Sequence, residues 1–379
     1  MTDEPALLAA VRQHPDDDTP RLVYADWLEE NGAAERAAFI RLQCEAARLP
    51  AGTKERRKAE RAAEALFKAH KVEWFGPLWK KFHSSKPAVS HCRIERGFIT
   101  SLKNDVREFV AHADAIARFA PCLRRVVVEH VNDAVAKLLA LPFVRTAAEL
   151  DLNTLHPASL AVLKDHADWG PFDALRLTFE FEDVSDTLAG LDAAPLVRAA
   201  RRFDLHYGYF PHGDEAPEVG DAAAQEPSLR EMRRLKLPNL RGFGFYGMSA
   251  DSAREVAAWP GFKQLDWLDF ETCGIDDAAA VSLLTAKTLP RLTRLNLNEN
   301  DLSTPTAEAL AACKPLAGLT ELALDWNSLQ DAAAKKLAAS TVLPAELPVD
   351  VSFNRLTEKG IAALRKRFGS GVVSREQLT

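Results

Sequence analysis

The sequence predicts an α/β fold. It is a solenoid of stacked repeats with a curved parallel β-sheet inside, helices on the convex side and an N-terminal α-helical capping domain. Three observations carry this. Four segments toward the C-terminus share one apolar pattern at a fixed period of 27 residues. The stretches between them have the apolar spacing of short helices. The first 90 residues lack the pattern and read as helices throughout.

The four segments end at Cys273, Asn300, Asn327 and Asn354, with Ile275, Leu302, Leu329 and Leu356 two places beyond. Their cores are Leu268/Phe270, Leu295/Leu297, Leu322/Leu324 and Val349/Val351. Alternate side chains of a strand share one face, so each core pair points inward. Leu265, Leu292, Leu319 and Leu347 fill the same core from one side. The Asn turns the chain out of the strand, and its buried amide can satisfy backbone groups of the turn. A cysteine there is small, tolerates burial and reads as structural.

Helices are expected over 276–285, 304–313, 330–340 and 358–367, with alanine and leucine inward. Small alanines let a helix lie close behind a short strand. The pattern continues upstream with drift at Leu123/Val126/Val128, Leu150/Leu152, Phe172/Leu175/Leu177 and Phe203/Leu205, with a first strand at 98–102. Between 205 and 270 both Leu235/Leu237 and Phe243/Phe245 fit a strand; Leu235/Leu237 is preferred. Residues 208–228 are rich in Pro, Gly, Asp and Glu and read as an acidic loop inserted into one repeat.

The N-terminal block reads as helices over 4–13, 20–30, 33–49 and 54–71. Thr19 is the expected cap of the second, with Pro20 opening it. Asp16, Asp17 and Asp18 read as a polar loop rather than a metal site, and the basic run from Lys54 to Arg61 as a solvated helix face. Trp74, Phe75, Leu78, Trp79 and Phe82 form an aromatic seam toward the first repeats. A solenoid end exposes apolar surface and needs a cap. The expected domains are a helical cap over 1–90, about nine to ten repeats over 91–370, and a tail over 371–379.

The pattern LxxLxLxxN/CxL is that of leucine-rich repeats, and the array resembles their ribonuclease-inhibitor-like class. The segment Arg21 to Glu30, followed by Ala38 to Gln43, resembles the repeat-companion domain that precedes such repeats in some bacterial families. Glu95-Arg96-Gly97-Phe98 is similar to the entry to those repeats. The resemblance implies a cytoplasmic repeat protein and supplies no catalytic residues.

Composition agrees. The 379 residues are 47% apolar and 27% charged, as in a folded chain, with a net charge of -6. That charge argues against a nucleic-acid partner. No apolar run of about 18 residues predicts a membrane span, and five scattered cysteines fit a reduced compartment.

Between the inward residues, one column of side chains faces the concave surface at each position. The expected partner-binding residues are Trp267, Asp269, Glu271, Glu299, Asp325, Trp326, Asp350 and Phe353, with Phe179 and Tyr207 further upstream. Exposed aromatics flanked by polar groups are what an interface hot spot looks like. The acidic bias points to a protein partner with a basic patch. The expected function is a non-catalytic interaction scaffold. A structural or self-associating protein, or a recognition module with little or no activity, is the alternative.

Catalytic motifs are not found, and no cofactor or metal is expected. Gly242, Gly244 and Gly247 give a weak GxGxxG match inside an irregular repeat, where Phe245 and Tyr246 would crowd a phosphate. An open sheet face leaves its carboxylates in water, so strongly shifted acids are not expected.

Overall fold

The computed structural model describes residues 4–50, 53–82, 91–131, 134–155, 172–179, 191, 194–208, 236–246 and 259–378. The 208–228 loop is essentially outside them. The chain divides into two compact units. One comprises residues 1–154 and 169–172, the other 155–168 and 173–379.

In the first unit, helices Glu4–Gln13, Thr19–Glu30, Ala34–Arg48 and Lys54–Phe75 precede the strands. They correspond to the expected four, and the last runs on to Phe75. Thr53 caps it, accepting the Arg56 amide at 3.2 Å. The expected cap at Thr19 is corrected: Thr19 is already helical and Asp18 holds the cap position. Asp18 pairs with Arg48 at 2.8 Å and Arg96 at 3.3 Å.

Strands β1 (Cys92–Glu95) and β2 (Phe98–Asn104) form an antiparallel hairpin. β3 (Arg125–Val128) and β4 (Glu149–Leu155) then add in parallel. The hairpin turn is Arg96-Gly97, both left-handed at φ 48° and 90°. Helix Ala34–Arg48 clasps it: Gln43 accepts the Gly97 amide at 2.6 Å and Arg36 donates to the Gly97 carbonyl at 2.5 Å. A Cβ at Gly97 would strike Ile40, so only glycine fits this turn. Arg36 sits among the rings of Phe39, Trp74, Phe75 and Phe98. Phe75, Leu78 and Phe82 are buried, and Phe82 meets Phe109 of helix Val106–Ala111 at 5.5 Å.

In the second unit the strands are neighbours in chain order. They are β5 (Phe172–Phe179), β6 (Ala200–Gly208), β7 (Leu240–Tyr246), β8 (Trp267–Asp269), β9 (Arg294–Asn296), β10 (Glu321–Ala323), β11 (Val349–Asp350) and β12 (Val372–Val373). From β6 on, every pairing is parallel. Leu205, Phe243, Leu268, Leu295, Leu322, Val349 and Val372 stack across seven strands in one buried row. Behind the last repeats lie helices Asp277–Thr285, Thr304–Ala312, Asp331–Ala338 and Glu358–Phe368, whose alanines and leucines join the core.

One strand differs from expectation. β7 is centred on Phe243, not on Leu235/Leu237. Leu237 is buried in the turn before it, where its carbonyl accepts the Leu240 amide at 3.1 Å. Leu240 then stands three places ahead of Phe243, as Leu265 stands ahead of Leu268. Val372 and Val373, assigned to a tail, close the order as β12.

The asparagines do what their spacing implies. Asn300, Asn327 and Asn354 each aim their two side-chain N–H groups at three carbonyls, one hydrogen being shared and one carbonyl lying in the preceding repeat. Their amide oxygens accept backbone N–H groups of the repeat before, at Ile275, Leu302 and Leu329. Cys273 takes the first such position, fully buried, its thiol donating to the Glu271 carbonyl at 3.4 Å.

Candidate functional site

In the second unit, the sheet face turned away from the leucine row carries the candidate site. Strand register lines its residues into rows, with neighbours about 5 Å apart. One row is Asp204, Gly242, Trp267, Arg294 and Glu321. The next is His206, Gly244, Asp269, Asn296, Ala323 and Asp350. Beyond the strand ends lie Glu271, Asn298, Asp325 and Ser352, where the backbone amides of Thr272, Glu299 and Trp326 donate to the carbonyls of Asn298, Asp325 and Ser352.

The two glycines of β7 organise one end. A Cβ at Gly242 would run into the Asp204 carboxylate and the Trp267 ring, and one at Gly244 into the His206 imidazole. Both rings therefore lie over bare backbone. They stack at 5.0 Å with planes 8° apart. Arg176 and Arg294 place their guanidiniums 5.1 and 5.2 Å from the Trp267 ring centre, in cation–π range. Around them Arg202 bridges Asp204 at 3.0 Å and Asp266 at 2.8 Å. Gly242 and Gly244 lie inside a strand rather than at a strand-to-helix turn, so they do not make the phosphate loop that a dinucleotide fingerprint requires. Gly244→Val should displace His206 and cost about 1–3 kcal/mol of stability. Urea denaturation measures it, and an unchanged midpoint would refute this role for the glycine.

A depression of about 410 Å³ opens on the same face, lined by Trp267, Arg294, Asp269, Ala323, Asp325 and Asp350 among others. Ala323, a short side chain between Asn296 and Asp350 in its row, leaves the space. Asp269 and Asp325 are not ordinary carboxylates. Burial and the neighbouring Glu271 push Asp269 up to about 7. Burial and Asp350 push Asp325 up to about 6. Burial also raises Glu271, against a 3.0 Å bond from Asn296. The expectation of unshifted acids is thus corrected: these acids are partly buried on the sheet face rather than left in water. His206, 3.7 Å from Asp269, is pushed down to about 3 by burial and by Arg176, so it is neutral and does not balance the carboxylate.

At the other end, Trp326 and Phe353 stack at 4.5 Å with planes 10° apart. Trp326 is 45% exposed and Phe353 half-buried. Thr272, Glu299, Trp326 and Phe353 all adopt φ between 52° and 55°. That left-handed turn carries their side chains outward, at a cost for residues of this bulk.

The sequence-derived candidates divide. Asp269, Glu271, Glu299, Asp325, Trp326, Asp350 and Phe353 lie together on this face or its edge. Trp267 lies on it too but is only 7% exposed, held within its cationic cage. Phe179 is corrected: it is 1% exposed. β5 runs on through Phe179 without the left-handed turn, so period two carries it to the side of Leu175 and Leu177. Tyr207 lies in β6 opposite Phe245; its side chain lies outside the described part. Sequence reasoning missed Arg202 and Asp266 and the part played by the glycines. The alternation Gly242-Phe243-Gly244 was the available signal, two bare outward positions in one strand.

The fold and this face together define a protein of stacked strand-and-helix repeats with an open polar and aromatic sheet face. No family model and no curated protein matches the sequence. Among solved structures, an internalin of Listeria monocytogenes is similar at 17% identity, over 73% of this chain and 71% of its own, with a TM-score of 0.31. A protein of Bacteroides fragilis is similar at 15% identity, over 80% of this chain and 86% of its own, with a TM-score of 0.39. Among the described residues, no helix is long and apolar enough to cross a membrane, and no group of three His, Cys, Asp or Glu is placed to hold a metal.

Proposed function

We propose that this chain is a leucine-rich-repeat protein of the ribonuclease-inhibitor-like class, with its first 90 residues a repeat-companion cap. Its function is to bind a protein partner on the concave face of the repeats, without catalysis. The 27-residue period and the helix in each repeat support the class. The stacked pair of exposed Trp326 and half-buried Phe353, near the carboxylates of the depression, carries the function. Aromatic pairs with a polar surround anchor interfaces, and truncating one costs about 2 kcal/mol or more. The local excess of carboxylates favours a partner presenting lysine or arginine, chiefly through steering and specificity.

The test is capture from native cytosol with wild type beside a Trp326→Ala/Phe353→Ala variant. A partner captured by wild type should bind the variant at least about 30-fold more weakly. Equal affinity would refute the assignment of the site. Size measured across concentrations tests self-association, the alternative occupant of the same face.

A further inference from the structure

The first unit has a pocket of its own. A pocket of about 540 Å³ opens between the helical block and the first hairpin. Its charged lining is Arg21, Arg56, Arg96 and Arg124 with Asp16, Glu60, Glu64 and Glu95. Most of these charges are already matched. Arg56 bonds Glu60 at 2.8 Å and Arg96 pairs with Asp18 at 3.3 Å. Glu95 takes Arg93 at 2.7 Å and the Thr100 hydroxyl at 3.1 Å, and Glu64 takes Lys68 at 3.3 Å. Asp16 is exposed at the rim. Among the described residues, Arg21 and Arg124 pair with no carboxylate.

Arg21 is only 4% exposed. One Nη donates to the Asp17 carbonyl at 2.8 Å, while its buried Nε has no hydrogen-bond partner. Burial, then the charge of Arg96, disfavours its charged form. Arg124 is half-buried and fixed through its backbone, its amide donating to Thr100 at 3.0 Å and its carbonyl accepting from Glu149 at 2.9 Å. A buried guanidinium is costly unless a charge-assisted partner meets it, and its planar fork matches carboxylate and phosphate oxygens. A pocket of this volume admits a small molecule. We propose that this pocket is a binding site for a small oxyanion-bearing ligand, held between Arg21 and Arg124.

The test uses the full chain with inorganic phosphate and, separately, citrate, against sodium chloride at equal ionic strength. Calorimetry should show saturable binding of at least one anion, with a rise in Tm that chloride does not give. Phosphate alone identifies a phosphoryl ligand and citrate alone a carboxylate ligand; binding of both identifies the oxyanion in general. Arg21→Gln and Arg124→Gln should each weaken binding about tenfold or more. Arg124 is half-exposed, so Arg124→Gln decides the matter if Arg21→Gln fails to fold. No saturable binding below about 10 mM of either anion, or unchanged binding by Arg124→Gln, would overturn the site. Neither result bears on the partner-binding face, which belongs to the other unit.

Discussion

Asn354→Leu should lower stability by about 3 kcal/mol or more. The two side chains are close in size, so packing is nearly conserved and the effect isolates hydrogen bonding. Asn354 is 0% exposed. Its amide nitrogen donates to the Leu324 carbonyl at 2.8 Å, the Ser352 carbonyl at 3.1 Å and the Val351 carbonyl at 3.2 Å. Its oxygen accepts the Leu329 amide at 2.9 Å. Leucine satisfies none of these groups, and each buried polar atom left unpaired costs about 1–3 kcal/mol. Because Leu324 and Leu329 belong to the preceding repeat, the loss falls on the junction between repeats. Stacked repeats owe much of their stability to such nearest-neighbour terms. Urea denaturation should therefore show a lower midpoint together with a shallower slope as the last repeat melts separately. A loss below about 1 kcal/mol would mean that the asparagine is not the tie between repeats.

Much of this was legible because the last four repeats are nearly ideal. Leucines at fixed offsets can pack only if strands stack in parallel, so the register Leu268, Leu295, Leu322 and Val349 follows from spacing alone. The asparagine role was legible for the same reason, since a buried polar residue at a fixed place must find fixed partners. The displaced strand β7 shows where this fails. Both Leu235/Leu237 and Phe243/Phe245 have the alternation of a strand, and alternation cannot rank them. The residue three places ahead does not rank them either, since Met232 and Leu240 are both apolar; spacing does, because Phe243 stands 25 residues before Leu268, close to the 27-residue period, and Leu235 stands 33 before it.

The face was less legible than the core. Outward columns follow from alternation only while the strand lasts. The left-handed residue after each regular strand is Thr, Glu, Trp or Phe, and none of these announces positive φ. Where that turn is missing, as at Phe179, alternation continues and the side chain goes inside. The electrostatics were less legible still. Trp267, two places before Asp269, lies over the β7 backbone because Gly242, 25 residues before Trp267 in the chain, lacks a side chain, and His206, beside Asp269, lies over it because Gly244 does. Burial of a charged group is a property of several strands at once, and a single strand's sequence does not carry it.

That burial has a measurable consequence in the pH dependence of stability. The groups facing Asp269 are Glu271 on its own segment, the neutral His206 from β6, Asn296 from β9 and Arg176 from β5. Their sum leaves Asp269 at about 7 in the folded chain, against 3.8 as its ordinary value. The folded state therefore binds this proton more tightly than the unfolded state does. Stability must then fall as pH rises from about 4 to about 7, and the penalty is complete above the folded value. At about 1.4 kcal/mol per pKa unit, Asp269 costs on the order of 4 kcal/mol at pH 8. Asp325, raised by burial and by Asp350, Glu271 and Glu299, adds in the same direction. Asp269→Asn keeps an oxygen for the Glu271 amide while removing the charge. It should stabilise the isolated chain at pH 8 and flatten its stability profile between pH 4 and pH 8, read from urea midpoints. A midpoint at pH 8 that stays unchanged or falls would show that Asp269 is solvated in the folded chain. A cationic partner should act in the opposite sense, favouring the charged carboxylates, so its affinity should rise over the interval in which the free chain loses stability. The carboxylates that weaken the isolated sheet are the ones a lysine or arginine would neutralise.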